Sequence, residues 1–395
     1  MGQTLSEPIT TKEITVCQSS EYGVASASMQ GWRIGMEDAH THILGSPDDE
    51  NAAFFGIYDG HGGARVAQVA SMKLHKKIIG NEHYVNNDFH TAIKTGFLNL
   101  DEELKQDEET KEQMSGTTAV TVLIKDRKIY CGNAGDSRAV LCQRGKARKC
   151  VGSWQQGGWV DACRVNGNLA LSRALGDFIF KNNDSLRAEE QIVTALPDII
   201  EVEITDEHEF IILACDGIWD VLSNEQAVAY CRKRLGEGST PEKICEELVD
   251  RCLAPDCELS GVGCDNMSVI LVCLLQGESK EAYTERVKRE SLVADDQFVQ
   301  DMLQGLKFDQ NFANNASPFV LQNARDNIFG DDVIESMLTD AMLSRANERN
   351  TMHVDDPKPS EQAFITPPNE VLHQDESDDP PPAVFEVIPH GTPEK

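Results

Sequence analysis

Two short apolar runs in this chain end in the same dipeptide. Ala52-Ala53-Phe54-Phe55-Gly56-Ile57-Tyr58 stops at Asp59-Gly60, and Phe210 to Cys215 stops at Asp216-Gly217. A continuous apolar run of this length marks a strand buried on both faces, and Asp-Gly marks the turn that ends it. Further acids fall at similar places. Glu37-Asp38 follow Trp32-Arg33, Asp136 follows Gly135, and Asp265-Asn266 opens the run Met267 to Leu275. A fold built from such strands gathers carboxylates at the rim of its core. Converging carboxylates repel one another, and each unpaired buried charge is costly. A hard divalent cation removes both problems, because Mg²⁺ and Mn²⁺ take carboxylate, carbonyl and water oxygens. The glycine after the aspartate lets the backbone approach closely enough for its own carbonyl to ligate. Two such ions about 3.5–4 Å apart can share a water, lower its pKa and aim it at phosphorus.

Taken singly, these features have simpler readings. Asp-Gly is first a turn dipeptide, and Asp216 with Asp220 fits a helix start. His61 between glycines fits an exposed loop, and Arg33 fits a surface pair with Glu37. It is their combination and order along the chain that points to a metal site.

The rest of the chain supplies layers around the acidic rim. Ala64 to Ile79 carries apolar residues at helical spacing through Val66, Val69, Ala70 and Leu74, and Ala92 to Leu104 does so through Ile93, Phe97, Leu98, Leu100 and Leu104. Thr117 to Lys125, Lys128 to Gly132 and Ala139 to Gln143 read as strands, the last ending at Arg144-Gly145-Lys146. Helices are expected over Ser223 to Leu235 and Pro241 to Cys252, with Ser223 and Gln226 spaced for a capping box. Strand runs grouped with helix pairs imply a sheet-on-sheet core with helices outside.

The expected organisation has four parts. Residues 1–20 form a flexible arm and 21–275 a single domain. Residues 276–346 form an extension, with helical apolar spacing over 328–346. Residues 347–395, rich in Asp, Glu and Pro, form a disordered acidic tail. The chain carries a net charge of −30, of which residues 276–395 supply −14 from 24 acids and 10 bases. That balance excludes non-specific nucleic-acid binding, which needs a basic footprint. The 12 cysteines include no C-x-x-C pair and read as core thiols in a reducing compartment. Cys252, Cys257 and Cys264 allow a zinc reading, although no histidine lies near them. Residues 1–20 lack the apolar core of a signal peptide, and the longest apolar run is too short to span a membrane. The expectation is therefore an intracellular protein, cytoplasmic and nuclear. Met1-Gly2-Gln3-Thr4-Leu5-Ser6 fits the acylation pattern for Gly2, and one acyl chain gives only weak, reversible membrane attachment.

Seven stretches together resemble one family. They are Gln30-Gly31-Trp32-Arg33 with Met36-Glu37-Asp38-Ala39; Tyr58-Asp59-Gly60-His61-Gly62-Gly63; Ser115-Gly116-Thr117-Thr118-Ala119; Gly132-Asn133-Ala134-Gly135-Asp136-Ser137-Arg138; Val165 to Asp177; Leu213-Ala214-Cys215-Asp216-Gly217-Ile218-Trp219-Asp220; and Gly263-Cys264-Asp265-Asn266-Met267. Across residues 21–275 the chain resembles the PPM family, the PP2C-type metal-dependent protein phosphatases, and within it animal members that start Met-Gly-Gln-Thr-Leu-Ser. The resemblance implies an α+β fold, a four-layer α/β/β/α sandwich of two antiparallel sheets with a helix pair on each outer face and a two-metal cleft at one end. By the same resemblance, Asp59 would bridge the metals, Glu37 and the Gly60 carbonyl would complete one site, and Asp216 with Asp265 would hold the other. Thr118 and Asp136 match positions near a weaker third metal that shares Asp216, and Asp38 would contact a metal through water. Arg33 would bind the substrate phosphate, and His61 would protonate the departing seryl or threonyl oxygen. The implied cofactors are Mg²⁺ or Mn²⁺, two per domain with a weaker third. The implied partners are phosphoserine and phosphothreonine proteins, met by a monomer.

The chain departs from the family pattern after Gly145-Lys146-Ala147-Arg148. The family continues through a strand, an Asp-His-Lys-Pro turn and a helix. Here Lys149 to Gln156 run directly toward Gly157-Gly158. Eight residues cannot hold both a strand of about 5–6 residues and a helix of about 11. The metal ligands lie outside this shortened piece, so two readings follow from it: an active phosphatase, or a catalytically compromised module that binds phosphoproteins.

Overall fold

The apolar runs become central strands of two antiparallel sheets. The computed structural model describes residues 4–46, 49–112, 115–149, 160–161, 164–165, 171–257 and 261–288. In chain order the sheet strands are β1 (Thr4–Gln18), β2 (Tyr22–Arg33), β3 (Ala39–Ser46), β4 (Asp49–Tyr58), β5 (Ala119–Lys125), β6 (Lys128–Ala134), β7 (Arg138–Gln143), β8 (Lys146–Lys149), β9 (Asp198–Glu203), β10 (His208–Ala214) and β11 (Met267–Leu274). One sheet runs β1-β2-β11-β10-β7-β8 and the other β9-β6-β5-β4-β3. The long helices are α1 (Arg65–Ile79), α2 (Phe89–Gln106), α3 (Asn224–Gly236) and α4 (Pro241–Cys252).

Side-chain alternation explains why the central runs are apolar throughout. On β4, Phe54 faces outward onto Leu74, Ile93 and Phe97 of α1 and α2. Phe55 and Ile57 face inward onto Ile211, Leu213, Ile270 and Val272 of the other sheet. On β10, Phe210 and Ile212 pack outward against Val228, Ile244 and Leu248 of α3 and α4. Both faces of each central strand are thus covered, giving the four-layer α/β/β/α order. Burying each such side chain contributes about 1.5–3 kcal/mol, which keeps these strands central.

The expected capping box at α3 forms. The Gln226 amide donates to Ser223 Oγ at 3.2 Å, and the Ser223 amide donates to Gln226 Oε1 at 2.8 Å. Ser223→Ala is expected to cost about 1 kcal/mol. A thermal melt would read this as a Tm lower by roughly 2–4 °C.

Two expected boundaries move. Residues 4–18 are a strand and not a flexible arm: β1 pairs antiparallel with β2 from Thr4↔Arg33 to Gln18↔Gly23. No residue of β1 is buried, so its order comes from the backbone ladder and not from an apolar face. Its register breaks between Thr4 and Ile9, the interval holding Pro8, which has no amide to donate. At the other end the core extends past residue 275. Residues 280–288 are helical, and Tyr283 and Val287, four apart, are buried in the outer core beside α3 and α4. Gly2, the shortened stretch beyond Lys149, the helix expected over 328–346 and the acidic tail all lie outside the described residues. Among the described residues no helix is long and apolar enough to cross a membrane.

Candidate active site

Strand register brings the acids to one end of the sandwich. In the second sheet the end of β4 lies beside the start of β3 (Ala39↔Tyr58), and the start of β5 lies beside the end of β6 (Ala119↔Ala134). In the first sheet Met267 pairs with Met29 and Ala214 lies opposite Val269. Asp38, Asp59 and Asp136 therefore leave one sheet at the end where Arg33, Asp216 and Asp265 leave the other.

Two groups of polar atoms converge there. Ligand atoms of Asp38, Asp59 and Cys215 lie within 4.8 Å of one another, as do those of Asp59, Asp136 and Asp216. Asp59 belongs to both groups. Asp38 Oδ2 accepts from Ser268 Oγ at 2.7 Å, while its Oδ1 is buried without a hydrogen-bond partner. A buried carboxylate oxygen with no donor is an open position for a cation.

The electrostatics agree. Burial pushes Asp38 up to about 6; hydrogen bonds from Ser268 and Cys215 oppose the rise, and the charge of Asp265 adds to it. Burial raises Asp59 well above the carboxylate range, and the charges of Asp38, Asp216, Asp136 and Asp265 add to it. Asp216 rises to about 7 through burial and then the charges of Asp265, Asp136 and Asp220. Burial also raises Asp136. Four acids so arranged cannot all ionise without a cation among them. The donor set fits a hard cation. Cys215, the single sulfur, is pushed up by burial and by Asp38, Asp59 and Asp216, which keeps it a thiol, and its Sγ donates to the Asn266 carbonyl at 3.5 Å.

The other expected ligands stand around this centre. Glu37 is fixed through its amide, which donates to Asn266 Oδ1 at 2.9 Å. Its carbonyl packs so closely on Gly60 that a methyl there would collide with it. Asp265 is engaged by Arg33, the residue expected on the substrate phosphate, and accepts the Asn266 amide at 2.8 Å. Neither Glu37 nor Asp265 belongs to the two convergent groups, although the Asp265 charge reaches Asp38, Asp59 and Asp216. Asn266, unassigned in the sequence, organises this side: its Nδ2 donates to the carbonyls of Gln30 and Gly35 at 2.9 and 3.0 Å. Thr118 and Ser137 share a hydrogen bond of 2.8 Å, and the Thr118 amide donates to the Asp59 carbonyl at 2.9 Å.

His61 has a partner that its motif did not reveal. Its Nε2 lies 2.7 and 2.9 Å from the two carboxylate oxygens of Asp177, which is 4% exposed. A three-stranded ribbon sets this contact. Gly60–His61 pairs with Gly116–Thr117, which pairs with Leu175–Gly176. A methyl on Gly116 would strike both Asp177 Oδ2 and His61 Nε2, so the contact requires glycine there. The cysteine reading also changes. Cys257 and Cys264 are bonded as a disulfide, and Cys252 is a separate buried thiol, so the three do not form a zinc site. The disulfide closes a loop that ends one residue before Asp265.

The four-layer sandwich with an acidic cluster at one end is the arrangement that the resemblance to PP2C-type phosphatases implies. A solved serine-threonine phosphatase 2C from Toxoplasma gondii shares the fold with a TM-score of 0.55 at 19% identity, covering 69% of this chain and 99% of that one. A Caenorhabditis elegans sex determining protein shares it with a TM-score of 0.55 over 69% of each chain. The family model for protein phosphatase 2C matches residues 22–151 and 154–261. A probable protein phosphatase 2C of Caenorhabditis elegans is 53% identical over 304 residues, covering 74% of this chain and 85% of the relative. Protein phosphatase 2C homolog 3 of Schizosaccharomyces pombe is 47% identical over 309 residues, covering 73% of each. The chain belongs to the protein phosphatase 2C family. The two matched pieces meet in the stretch where the sequence departs from the family pattern.

Proposed function

We propose that this protein phosphatase hydrolyses phosphoserine and phosphothreonine in proteins with Mg²⁺ or Mn²⁺ held at the acidic end of the sandwich. The observation that carries this reading is Asp59, whose carboxylate joins both convergent groups. Asp59, Glu37 and the Gly60 carbonyl would hold one ion, Asp216 and Asp265 the other, with Asp38 nearby and Asp136 and Thr118 at a weaker third position. When bound, such ions supply Lewis-acid activation of water and neutralise charge on the phosphoryl oxygens.

The remaining chemistry belongs to side chains. Arg33, with 43% of its side chain exposed, presents a planar fork suited to the phosphate oxygens. Asp177 holds His61 at Nε2, leaving Nδ1 as the nitrogen that gives a proton to the departing seryl or threonyl oxygen. An alkoxide is a poor leaving group, so this proton matters most for protein substrates. Arg33→Ala is expected to raise KM for a phosphothreonine peptide about 10-fold, the loss of about 1.4 kcal/mol of binding. Steady-state kinetics with saturating Mn²⁺ check this.

The shortened stretch beyond Lys149 favours one alternative, a phosphoprotein-binding module without turnover. One experiment separates the two. The purified full chain is mixed with Mn²⁺ and a phosphothreonine peptide, and both inorganic phosphate and peptide binding are followed. Multiple turnovers support the phosphatase; saturable binding without phosphate release supports the module.

A further inference from the structure

Residues 174–181 carry Asp177 past His61, and they are tied down by a buried ion pair that is not part of the acidic cluster. Lys181 Nζ donates to both carboxylate oxygens of Asp101 on α2, at 2.8 and 2.9 Å, and to the Ala174 carbonyl at 2.7 Å. Asp101 Oδ1 also accepts the Gly176 amide at 2.8 Å. The side chains of Lys181 and Asp101 are 5% and 12% exposed. The Gly176 amide and the Lys181 ammonium therefore meet on one carboxylate, and Lys181 also ties back to the Ala174 carbonyl.

Asp177 sits inside that loop in a conformation which a non-glycine residue does not favour. Its φ is 54° and ψ 40°, in the left-handed region. Its amide donates to the Ser115 carbonyl at 3.0 Å, and the Phe180 amide donates to its carbonyl at 2.9 Å. Aspartate is one of the few non-glycine side chains that enter this region, at a modest cost which the surrounding contacts offset. The Asp101–Lys181 pair supplies such contacts from below, and the ribbon through Gly116 supplies them from the side. Stability alone is a weak reason for the pair, since an apolar replacement of a buried ion pair is often no less stable. What the pair provides is a fixed place for the Asp177 carboxylate, and through it for the His61 ring.

We propose that Asp101 and Lys181 are positioning residues for His61 in phosphate-ester cleavage. The inference rests on the reading of His61 as the proton donor to the leaving oxygen. A displaced imidazole penalises esters whose leaving group needs a proton, and spares those whose leaving group departs as a stable anion. Two substrates therefore read the effect: a phosphothreonine peptide, whose alkoxide needs the proton, and p-nitrophenyl phosphate, whose phenolate does not.

Lys181→Met in the full chain with saturating Mn²⁺ is expected to lower kcat/KM on the peptide about 10-fold or more. The rate on p-nitrophenyl phosphate should stay within about 2-fold, and the Mn²⁺ activation midpoint should not move. His61→Ala, assayed alongside, should show the same selective loss, and the double variant should lose little more than His61→Ala alone. Asp101→Asn, which keeps the shape of the site, carries the same comparison should Lys181→Met fail to fold. Equal losses on both substrates would assign the pair a merely structural role and overturn the proposal, as would an unchanged peptide rate. A selective loss in His61→Ala but not in the pair variants sinks the positioning role alone. No selective loss in His61→Ala sinks the proton-donor reading and the positioning role together.

Discussion

Asp59→Asn is expected to abolish most phosphatase activity while making the metal-free protein more stable. Asp59 is the acid common to both convergent groups, so its loss would take an oxygen from each of the two proposed ion positions. Removing one transition-state electrostatic contact costs about 100- to 1,000-fold in rate, and a residue that serves two positions should reach at least that range. Stability should move the other way. Asp59 is buried among Asp38, Asp216, Asp136 and Asp265, whose charges all oppose its ionisation. A neutral amide of the same shape relieves that repulsion. Each kcal/mol relieved should appear as a Tm higher by roughly 2–4 °C in chelator at neutral pH. Lower activity with higher stability is the mark of a site that trades stability for function. A variant both inactive and less stable in chelator would mean that Asp59 supports the core instead.

Metal should stabilise the native protein, and more so as pH rises. A native-state ligand at about 100 times its Kd contributes about 2.7 kcal/mol. For a domain of this size that is a Tm gain of roughly 5–10 °C. The pH dependence follows from Asp38 and Asp216, raised when folded from 3.8 to about 6 and about 7. A carboxyl with a raised folded pKa binds its proton more tightly when folded than when unfolded. Its contribution is fully present below about pH 4 and is lost as pH climbs to the folded value. In chelator these two groups therefore remove stability between pH 4 and pH 7. Mn²⁺ held at this cluster would compensate the ionised carboxylates, so the gap between metal-loaded and metal-free melts should widen from pH 5 to pH 8. A gap that narrows over that interval would place the metal elsewhere.

The central strands and the acids at their ends were legible because both signals are local. Asp59 and Asp216 each close an apolar run, and a strand boundary needs only neighbouring residues. A sheet-on-sheet core with helices outside followed from such runs and two helix pairs of clear apolar spacing, while the four-layer order of two antiparallel sheets was what the family resemblance implied. What escaped depends on contacts between distant segments or on weak patterns. Asp177 lies 116 residues from His61, and a ribbon of dipeptides joins them. Lys181 and Asp101 are single charges in ordinary surroundings until the fold buries both. β1 was hidden because Ile9, Ile14 and Val16 are exposed in it, so no apolar alternation betrays the strand. The Ala-Ser alternation of β2 is weak for the opposite reason: Ser26 and Ser28 are buried with the alanines, Ser26 bonded to His40 at 3.0 Å. Residues 280–288 look polar, yet Tyr283 seals the core, its hydroxyl donating to the Glu209 carbonyl at 3.0 Å.

The most direct test is metal-dependent turnover by the full chain. Phosphate release from a phosphothreonine peptide is measured with Mn²⁺, after chelation, and after Mn²⁺ is restored, in the native protein and in Asp59→Asn. The expected result is many turnovers per molecule with Mn²⁺, loss on chelation, recovery on restoration, and no comparable recovery in the variant. Equal phosphate release from the native protein and Asp59→Asn, or release indifferent to chelation, would contradict the account.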